Sequence, residues 1–313
     1  MSDSTSGIIL IDKPRGMTSH DVVDRVRRVA GTRRVGHTGT LDPMASGLLV
    51  VCIGPATVVA QFLNGLDKVY LGTARLGAIS STYDAEGEIT QQDRPIPFNS
   101  VEVETAMQRQ VGSVLQLPPP YSAIKIKGRK LYEYARAGEV VPQQPRRVTV
   151  SRFELLHFEA PRVHFLARVG SGTYVRSMVH DLGLELGCGA YLEALRRTQV
   201  GGFGIDQAIA LDKLIQEPDL LPAHLLNITE ALGHLPKLTI QPQAETAIMN
   251  GCSFRTSEIL EFEGILNPGQ PVLVINTRGR ALSVAKAEAG GEADVALGES
   301  AMVFRPLRVL AQP

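Results

Sequence analysis

Short apolar runs separated by turns dominate the first quarter of the chain. Residues 7–12, 48–54 and 68–77 are apolar or alternate apolar with polar side chains, which predicts buried strands. Between the first two runs, Thr18 and Asp21 have the spacing of a helix capping box, and apolar residues then recur at helical spacing as far as Ala30. The pattern therefore predicts a strand, a helix and two further strands, in that order.

Farther along, the same patterns predict a helix over 101–114 and two strands with period-two alternation over 147–156 and 162–178. Residues 181–200 favour a helix interrupted by Gly187 and Gly189. The proline-containing stretch 219–236 has the composition of a linker, and residues 272–288 predict a hairpin. We therefore expect an α+β chain with two domains, residues 1–236 and a small β-rich domain over residues 237–313.

The overall composition is that of an ordinary soluble globular protein. Of the 313 residues, 44% are hydrophobic and 20% are charged, and 32 basic side chains balance 32 acidic ones. Three distant cysteines fit buried thiols in a reducing compartment better than a disulfide framework or a zinc site, so no metal is expected. With no signal-peptide pattern and no apolar run long enough for a bilayer, a cytoplasmic protein without membrane contact is expected.

The stretch 37–49, HTGTLDPMASGLL, contains a single acid, Asp42. Because Asp-Pro pairs commonly begin helices, one interpretation is that Asp42 caps a short helix that starts at Pro43. The apolar run that follows at once speaks against this, since a carboxylate beside a core needs a partner. No second acid lies in the loop, as a two-carboxylate glycosidase would need, and neither a P-loop nor a GxSxG elbow is present.

Five other positions have side chains suited to catalysis or binding, but each also has an ordinary structural interpretation when taken alone. Alternation places Lys68 and Tyr70 on one strand face, and likewise Tyr174 and Arg176. Each pair fits an unremarkable strand, and His37 fits a core or turn histidine as well as a group that contacts a base.

Basic residues are concentrated in two segments, between Arg25 and Arg34 and between residues 121 and 152. In the second segment two tyrosines are interleaved with the basic residues, which favours a phosphate-contacting surface over a merely solvated face. The residues with which we expect a phosphate-bearing partner to dock are Arg33, Arg34, Lys125, Lys127, Arg129 and Lys130.

Five stretches together resemble the TruB family of pseudouridine synthases, which act on uridine 55 of bacterial tRNA. They are GIILIDKPRGMTSHDVV, RRVGHTGTLDPMASGLL, DKVYLGTARLG, PPPYSAIKIKGRKLYEYAR and GSGTYVRSMVHDLG, and they follow the family order between Gly7 and Leu195. One departure is visible: the family usually has Lys or Arg after G-x-A-T, where this chain has Val58.

The resemblance implies a cofactor-free isomerisation of a uridine in the T loop of tRNA. The N1–C1′ bond breaks, the uracil turns and C5 bonds to C1′, on a base flipped out of its stack. By resemblance, Asp42 is the catalytic aspartate and Arg176 pairs with it. Tyr70 stacks on the uracil, and the remaining positions form or support the pocket, namely His37, Tyr174 and Leu195.

The resemblance also implies a catalytic domain with a mixed, largely antiparallel sheet and flanking helices, followed by a small PUA-like RNA-binding domain. It implies the T-arm stem-loop of tRNA as partner, no obligate protein partner and a monomer. Two other functions stay open at this point. One is an RNA-binding module or folding chaperone with a dispensable aspartate, and the other is a nucleoside hydrolase that would release free uracil.

Overall fold

The structure, a computed structural model, describes residues 5–122, 124–126, 128–139, 141–267, 269–287 and 303–310. In chain order its strands are β1 (Gly7–Lys13), β2 (Val35–His37), β3 (Ser46–Ile53), β4 (Lys68–Leu76), β5 (Ala78–Ser80), β6 (Ile89–Gln91), β7 (Gly112–Gln116), β8 (Lys125–Ile126), β9 (Arg129–Lys130), β10 (Arg146–Glu159), β11 (Arg162–Val169), β12 (Ala190–Val200), β13 (Phe203–Gly204), β14 (Ile209–Ala210), β15 (Leu225–Leu226), β16 (Lys237–Ile240), β17 (Phe254–Arg255), β18 (Ile259–Glu263), β19 (Pro271–Ile275), β20 (Ala281–Ala287) and β21 (Val303–Val309). The helices are α1 (Ser19–Ala30), α2 (Ala60–Asn64), α3 (Ser100–Gln108), α4 (Leu131–Arg136), α5 (Val175–Glu185), α6 (Leu211–Gln216), α7 (Ile228–Ala231) and α8 (Glu245–Met249).

A large mixed sheet organises the chain up to β15. Its strand order is β14-β1-β3-β12-β4-β11-β10-β7, with β2, β13 and β15 attached to β3, β12 and β1. Most pairs are antiparallel, whereas β3 runs parallel to β12 and β1 runs parallel to β14. The expected α+β class with a largely antiparallel sheet and flanking helices is confirmed.

Helices α1, α3, α5 and α6 cover one face of this sheet. The main core lies between these helices and the sheet. It includes Val22 and Val26 of α1, Val179 of α5 and Phe165 of β11. The capping box predicted at the start of α1 is formed, with Thr18 accepting from the Asp21 amide and Asp21 accepting from that of Thr18. Among the described residues, no helix is long and apolar enough to cross a membrane.

The second sheet has the order β17-β21-β20-β19-β16-β18, and its β19–β20 pair is the hairpin predicted from the sequence. One side packs on its own core around Phe254 and Phe304. Apolar residues on the other side of the second sheet, such as Leu273 and Val284, form a shared core with Ile8 and Val50. These two residues lie on the face of the large sheet that helices α1, α3, α5 and α6 do not cover. The chain is therefore β-rich at its C-terminal end, as expected.

The prediction for residues 181–200 was wrong in its second half. Helix α5 ends at Glu185, and after Gly187 and Gly189, both with positive φ, residues 190–200 form β12 at the centre of the large sheet. The leucines and alanines there have good helix propensity, but pairing with β3 on one side and β4 on the other overrides it. The helix predicted over 101–114 likewise stops at Gln108, and β7 begins at Gly112.

Two smaller expectations also change, and the position of Val58 is now defined. Residues 219–236 are not a linker, because β15 pairs with β1 and Leu221, Leu232 and Leu235 are buried. Cys252 is exposed, unlike the buried Cys52 and Cys188. Val58, at the position of the family's basic residue, packs against the core shared by the two sheets.

Candidate active site

The loop between β2 and β3 holds Asp42 in a turn rather than at the start of a helix. The Ala45 amide donates to the Asp42 carbonyl at 3.1 Å, and β3 begins at the next residue. The short helix that one interpretation of the sequence placed at Pro43 is absent, because the chain must join β3 within three residues of Pro43. Asp42 thus stands at the tip of a tight turn beside the sheet.

A buried hydroxyl of α1 fixes the residue before Asp42. Ser19 Oγ accepts from the Leu41 amide at 2.8 Å and donates to the Leu41 carbonyl at 3.0 Å. The Gly16 amide donates to the Pro43 carbonyl at 2.8 Å on the other side of the aspartate. Backbone on both sides of Asp42 is therefore bonded to the β1–α1 connection and to the first residue of α1.

Arg197 of β12 also stabilises this loop, through hydrogen bonds to its backbone. Its side chain is 1% exposed, and its guanidinium donates to the carbonyls of Leu48 at 2.7 Å and Gly39 at 3.1 Å. Gly47 allows β3 to approach β12 here, since a Cβ at Gly47, where φ is +104°, would lie 2.2 Å from the Arg197 carbonyl oxygen. Gly47 therefore serves the packing of these two strands.

The carboxylate of Asp42 is paired with Arg176. Arg176 Nε lies 2.9 Å from Asp42 Oδ2, and the arginine side chain is 7% exposed. Its other nitrogens donate to the Thr82 and Tyr121 carbonyls, each at 3.1 Å. Two separate segments thus hold the guanidinium against Asp42. Arg176 lies in the first turn of α5, so its placement with Tyr174 on a strand face was wrong.

A second acid shares this arginine. Asp84 Oδ2 lies 3.4 Å from Arg176 Nη1, and the Asp84 side chain is 3% exposed. Asp84 also accepts from the Thr82 hydroxyl and the Glu86 amide. Asp42 is therefore the one acid of its loop, but a second carboxylate lies close to it in space. Asp84 is 42 residues away in the sequence, so no local pattern pointed to it.

The charge on Asp42 reflects competing influences. The largest influence is burial, which raises the pKa of Asp42. The Arg176 charge is the next largest and lowers this pKa. The Asp84 charge raises the same pKa, and the Lys13 charge lowers it. Lys13 is fully buried, with its ammonium bonded to the carbonyls of Pro14 and Met17, and burial lowers its pKa to about 8. Arg176 is thus the main group that favours the ionised carboxylate.

Asp42 and Arg176 lie in the wall of an open cavity of about 330 Å³. The other residues that line it are Thr40, Leu41, Tyr70, Tyr121, Ser122, Thr173, Tyr174, Val175 and Leu195. Four of the five positions expected to support Asp42 are therefore gathered around it. His37, the fifth, is a partly buried residue at the end of β2 and does not line the cavity. Burial and the Arg197 charge lower the His37 pKa, so its imidazole is neutral near pH 7.

The expected docking residues lie in different surroundings. Arg33 and Arg34 are exposed after α1, and Arg34 donates to the Thr57 hydroxyl at 2.8 Å. Arg129 pairs with Glu139 at 2.9 Å and stacks on Tyr134, while the Lys130 amide donates to Glu133. Lys127 lies outside the described residues, and the Lys125 backbone forms part of β8.

Comparison with known proteins decides the family. Residues 27–175 match the model of the TruB family pseudouridylate synthase N-terminal domain, and residues 176–232 match the tRNA pseudouridylate synthase B C-terminal domain. The tRNA pseudouridine synthase B of Syntrophotalea carbinolica is 44% identical over 76% of this chain and 78% of its own length. That of Burkholderia mallei is 39% identical over 91% of this chain and 94% of its own. The chain belongs to the TruB family of pseudouridine synthases.

The fold of this TruB-family enzyme also matches solved structures. A Cbf5-Nop10-Gar1 complex contains a chain that aligns with a TM-score of 0.78 and 27% identity, over 98% of this chain and 85% of that one. An H/ACA RNP bound to a substrate RNA with 2′-deoxyuridine gives a TM-score of 0.77 and 25% identity, over 97% and 85%. These alignments include the second sheet, which begins after the family-model matches end at residue 232.

Among the described residues of this TruB-family protein, no cluster of three or more His, Cys, Asp or Glu side chains is arranged to hold a metal ion. The chemistry available in the cavity is a carboxylate held by a guanidinium, beside three tyrosines. Burial raises the pKa of Tyr174, so its phenol is neutral near pH 7. The cavity therefore offers one anionic oxygen group to a substrate, with aromatic and apolar walls around it.

Proposed function

We propose that the protein isomerises a uridine of tRNA to pseudouridine in the T loop, at position 55, with Asp42 as the reacting carboxylate. The observation that carries the proposal is the Arg176–Asp42 ion pair in the wall of a cavity lined by Tyr70, Tyr174 and Leu195. The curated relatives named tRNA pseudouridine synthase B support tRNA as the substrate.

In this proposal Asp42, Tyr70 and Arg176 each have a part in the reaction. The uridine enters the cavity as a flipped-out base, and the ring of Tyr70 stacks on it. The ionised Asp42 acts on the sugar or the base while the N1–C1′ bond breaks. The uracil stays enclosed and turns, and C5 bonds to C1′. The C5 proton is then released to solvent, and N1 takes up a proton from solvent. Arg176 keeps Asp42 ionised and aimed at the cavity throughout.

The decisive assay uses a T-arm stem-loop that carries tritium at uridine C5. We expect the wild-type protein to release tritium without free uracil, and Asp42→Asn to bind the RNA without releasing tritium. Asp181→Asn is the matched control, because Asp181 is a partly buried acid of α5 that does not line the cavity. Turnover by Asp42→Asn at the control's rate would refute the assignment, and free uracil would indicate a hydrolase. Since only protein and RNA are mixed, the assay also tests whether a protein partner is needed.

Docking on RNA is proposed to involve the exposed arginines after α1. Among the described residues, Arg33 has no side-chain hydrogen bond or ion pair, so it is free to contact phosphate. Arg33→Gln should weaken binding and reduce the slope of log affinity against log salt by about 1. Arg162→Gln is the control, since Arg162 is exposed but bonded to Glu193. Equal slopes for both variants would remove Arg33 from the interface.

For the domains, we propose a catalytic domain over residues 1–236 and a PUA-like domain over residues 237–313. The support is the division of strands between the two sheets, since β15 is the last strand of the first sheet and β16 begins the second at Lys237. Arg255 and Arg308 are exposed on the second sheet. Replacing both with Gln should weaken RNA binding without changing single-turnover rate at saturating RNA, and unchanged binding would contradict an RNA-contacting role for these residues.

A further inference from the structure

Gln116 is a buried polar residue in a region that the proposed reaction does not use. It is the last residue of β7, its backbone pairs with Arg146 of β10, and it is 4% exposed. Its side-chain amide is bonded at both ends to one residue. The Tyr174 amide donates to Gln116 Oε1 at 2.8 Å, and Gln116 Nε2 donates to the Tyr174 carbonyl at 3.1 Å. The side chain therefore bonds to Tyr174 as a peptide group of a neighbouring strand would.

Tyr174 is the residue from which α5 starts. Its backbone is extended, with φ −102° and ψ 111°, and no side chain caps the helix. Its carbonyl also accepts from the Met178 amide at 3.2 Å, in the first turn of α5. Gln116 thus fixes the entry of the chain into α5. Arg176 follows two residues later, so any shift of this entry is passed to the guanidinium beside Asp42.

The residues after Gln116 join the same turn of α5. Ser177 Oγ donates to the Leu117 carbonyl at 2.7 Å, and Arg176 Nη2 donates to the Tyr121 carbonyl at 3.1 Å. Segment 116–121 is therefore bonded to three residues of the segment 174–177, one of which is Arg176. Within this set, Gln116 alone bonds through two side-chain atoms, which sets both the distance and the direction of Tyr174.

We propose that Gln116 is a positioning residue that holds the start of α5 where Arg176 pairs with Asp42. The inference rests on the proposed role of Asp42 in catalysis. An apolar side chain at position 116 would leave the Tyr174 amide without its acceptor in a buried place, and the backbone would move to find another. A displacement near 1 Å at a reacting group costs up to about 100-fold in rate.

The chain provides a matched control in Gln110. Its Nε2 donates to the Met178 carbonyl at 3.2 Å, so it also bonds a glutamine amide to the backbone of α5. Gln110 makes one hydrogen bond to α5, whereas Gln116 makes two to the helix entry. The Gln110 bond reaches α5 two residues beyond Arg176. Gln116→Met and Gln110→Met therefore both remove an amide contact with the same helix, and they differ in whether the helix entry is fixed.

The experiment compares wild type, Gln116→Met, Gln110→Met and Asp42→Asn in full-length protein. Single-turnover tritium release at saturating stem-loop, RNA affinity by filter binding, thermal melting and the pH profile of the rate are measured. We expect Gln116→Met to lose about 10- to 100-fold in rate, with RNA affinity within about twofold of wild type. Gln110→Met should keep the wild-type rate within about twofold despite a comparable fall in Tm.

The pH profile separates positioning from general destabilisation. When Arg176 is displaced, Asp42 loses the group that favours its charge, so the acid limb of the Gln116→Met profile should move to higher pH. A Gln116→Met rate equal to that of Gln110→Met, or a loss confined to RNA affinity, would overturn the inference. Should Gln116→Met not fold, Gln116→Asn, whose amide is one methylene shorter and cannot keep both bonds to Tyr174 in place, is measured instead under the same criteria. Turnover by Asp42→Asn would instead refute the proposed function itself.

Discussion

A methyl group at Gly47 should destabilise the protein through one defined contact. In Gly47→Ala the new Cβ would lie 2.2 Å from the Arg197 carbonyl oxygen and 2.7 Å from its nitrogen, and the first distance is more than 1 Å short of ordinary contact. Because the partner is backbone in the parallel pair of β3 with β12, no side-chain rotation relieves the contact. The two central strands must separate or the turn that carries Asp42 must shift.

The expected magnitude has two parts. Alanine at a φ of +104° costs about 1–3 kcal/mol, because this region is unfavourable for a residue with a Cβ. Forcing an extra carbon into a packed interior adds about 1–3 kcal/mol. Gly112→Ala isolates the first part, since Gly112 has a φ of +111° and no heavy atom would lie within 4 Å of its Cβ. The difference between the two variants, about 1–3 kcal/mol, reports the contact with Arg197.

Urea unfolding followed by far-UV circular dichroism measures both variants, a suitable probe because the chain has no tryptophan. We also expect Gly47→Ala to release tritium more slowly while it is folded, because Asp42 lies five residues before the altered position. Gly112→Ala should keep its rate. Equal free energies of unfolding for the two variants would refute the argument, since it attributes the difference to the neighbouring strand.

Three further outcomes are expected. Asp84→Asn should move the acid limb of the pH–rate profile to lower pH, because it removes a negative charge that repels the Asp42 carboxylate. The rate should also fall about tenfold, because Arg176 loses a fixed partner. A shift of the acid limb to higher pH would contradict this. Burial raises the pKa of Asp181 to about 6, so its charged form destabilises the fold above that pH and the penalty disappears as the pH falls through 6 toward 4. Asp181→Asn should therefore gain about 1–2 kcal/mol at pH 8 and nothing at pH 4, and equal gains in thermal melts would disprove the link. Arg197→Met should lose about 2–4 kcal/mol in urea unfolding because two buried carbonyls lose their donor, and full recovery by Arg197→Lys would show that the fork geometry is unimportant.

Local patterns predicted those elements whose own residues determine them. Strand β1 and helix α1 follow from an apolar run and a capping box, both contained within a few residues. Strand β12 was missed because its sequence favours a helix, and only its two neighbours in the sheet make it a strand. Arg176 was placed on a strand because the period-two pattern continues past the Gly-Ser-Gly turn at which the strand has already ended.

The same distinction applies to the candidate site. Asp42, Tyr70 and Arg176 stand in motifs that a sequence comparison can recognise. Ser19 and Gln116, which fix the backbone on either side of the cavity, are ordinary polar residues in the sequence. Their structural role depends on hydrogen-bond partners 22 and 58 residues away in the sequence, and no local sequence pattern predicts contacts at such separations. Support for a site is therefore a property of the folded chain, whereas its reacting groups can be read from motifs.

The core shared by the two sheets has a consequence for experiments that shorten the chain. Leu273 and Val284 of the second sheet belong to the same buried cluster as Ile8 and Val50 of the first. A protein cut after residue 236 would therefore lose part of the apolar cover over two strands of the large sheet. Such a fragment would aggregate or lose stability for reasons unconnected with RNA. The C-terminal residues thus shield one face of the large sheet from water, and residues 1–236 and 237–313 should unfold together.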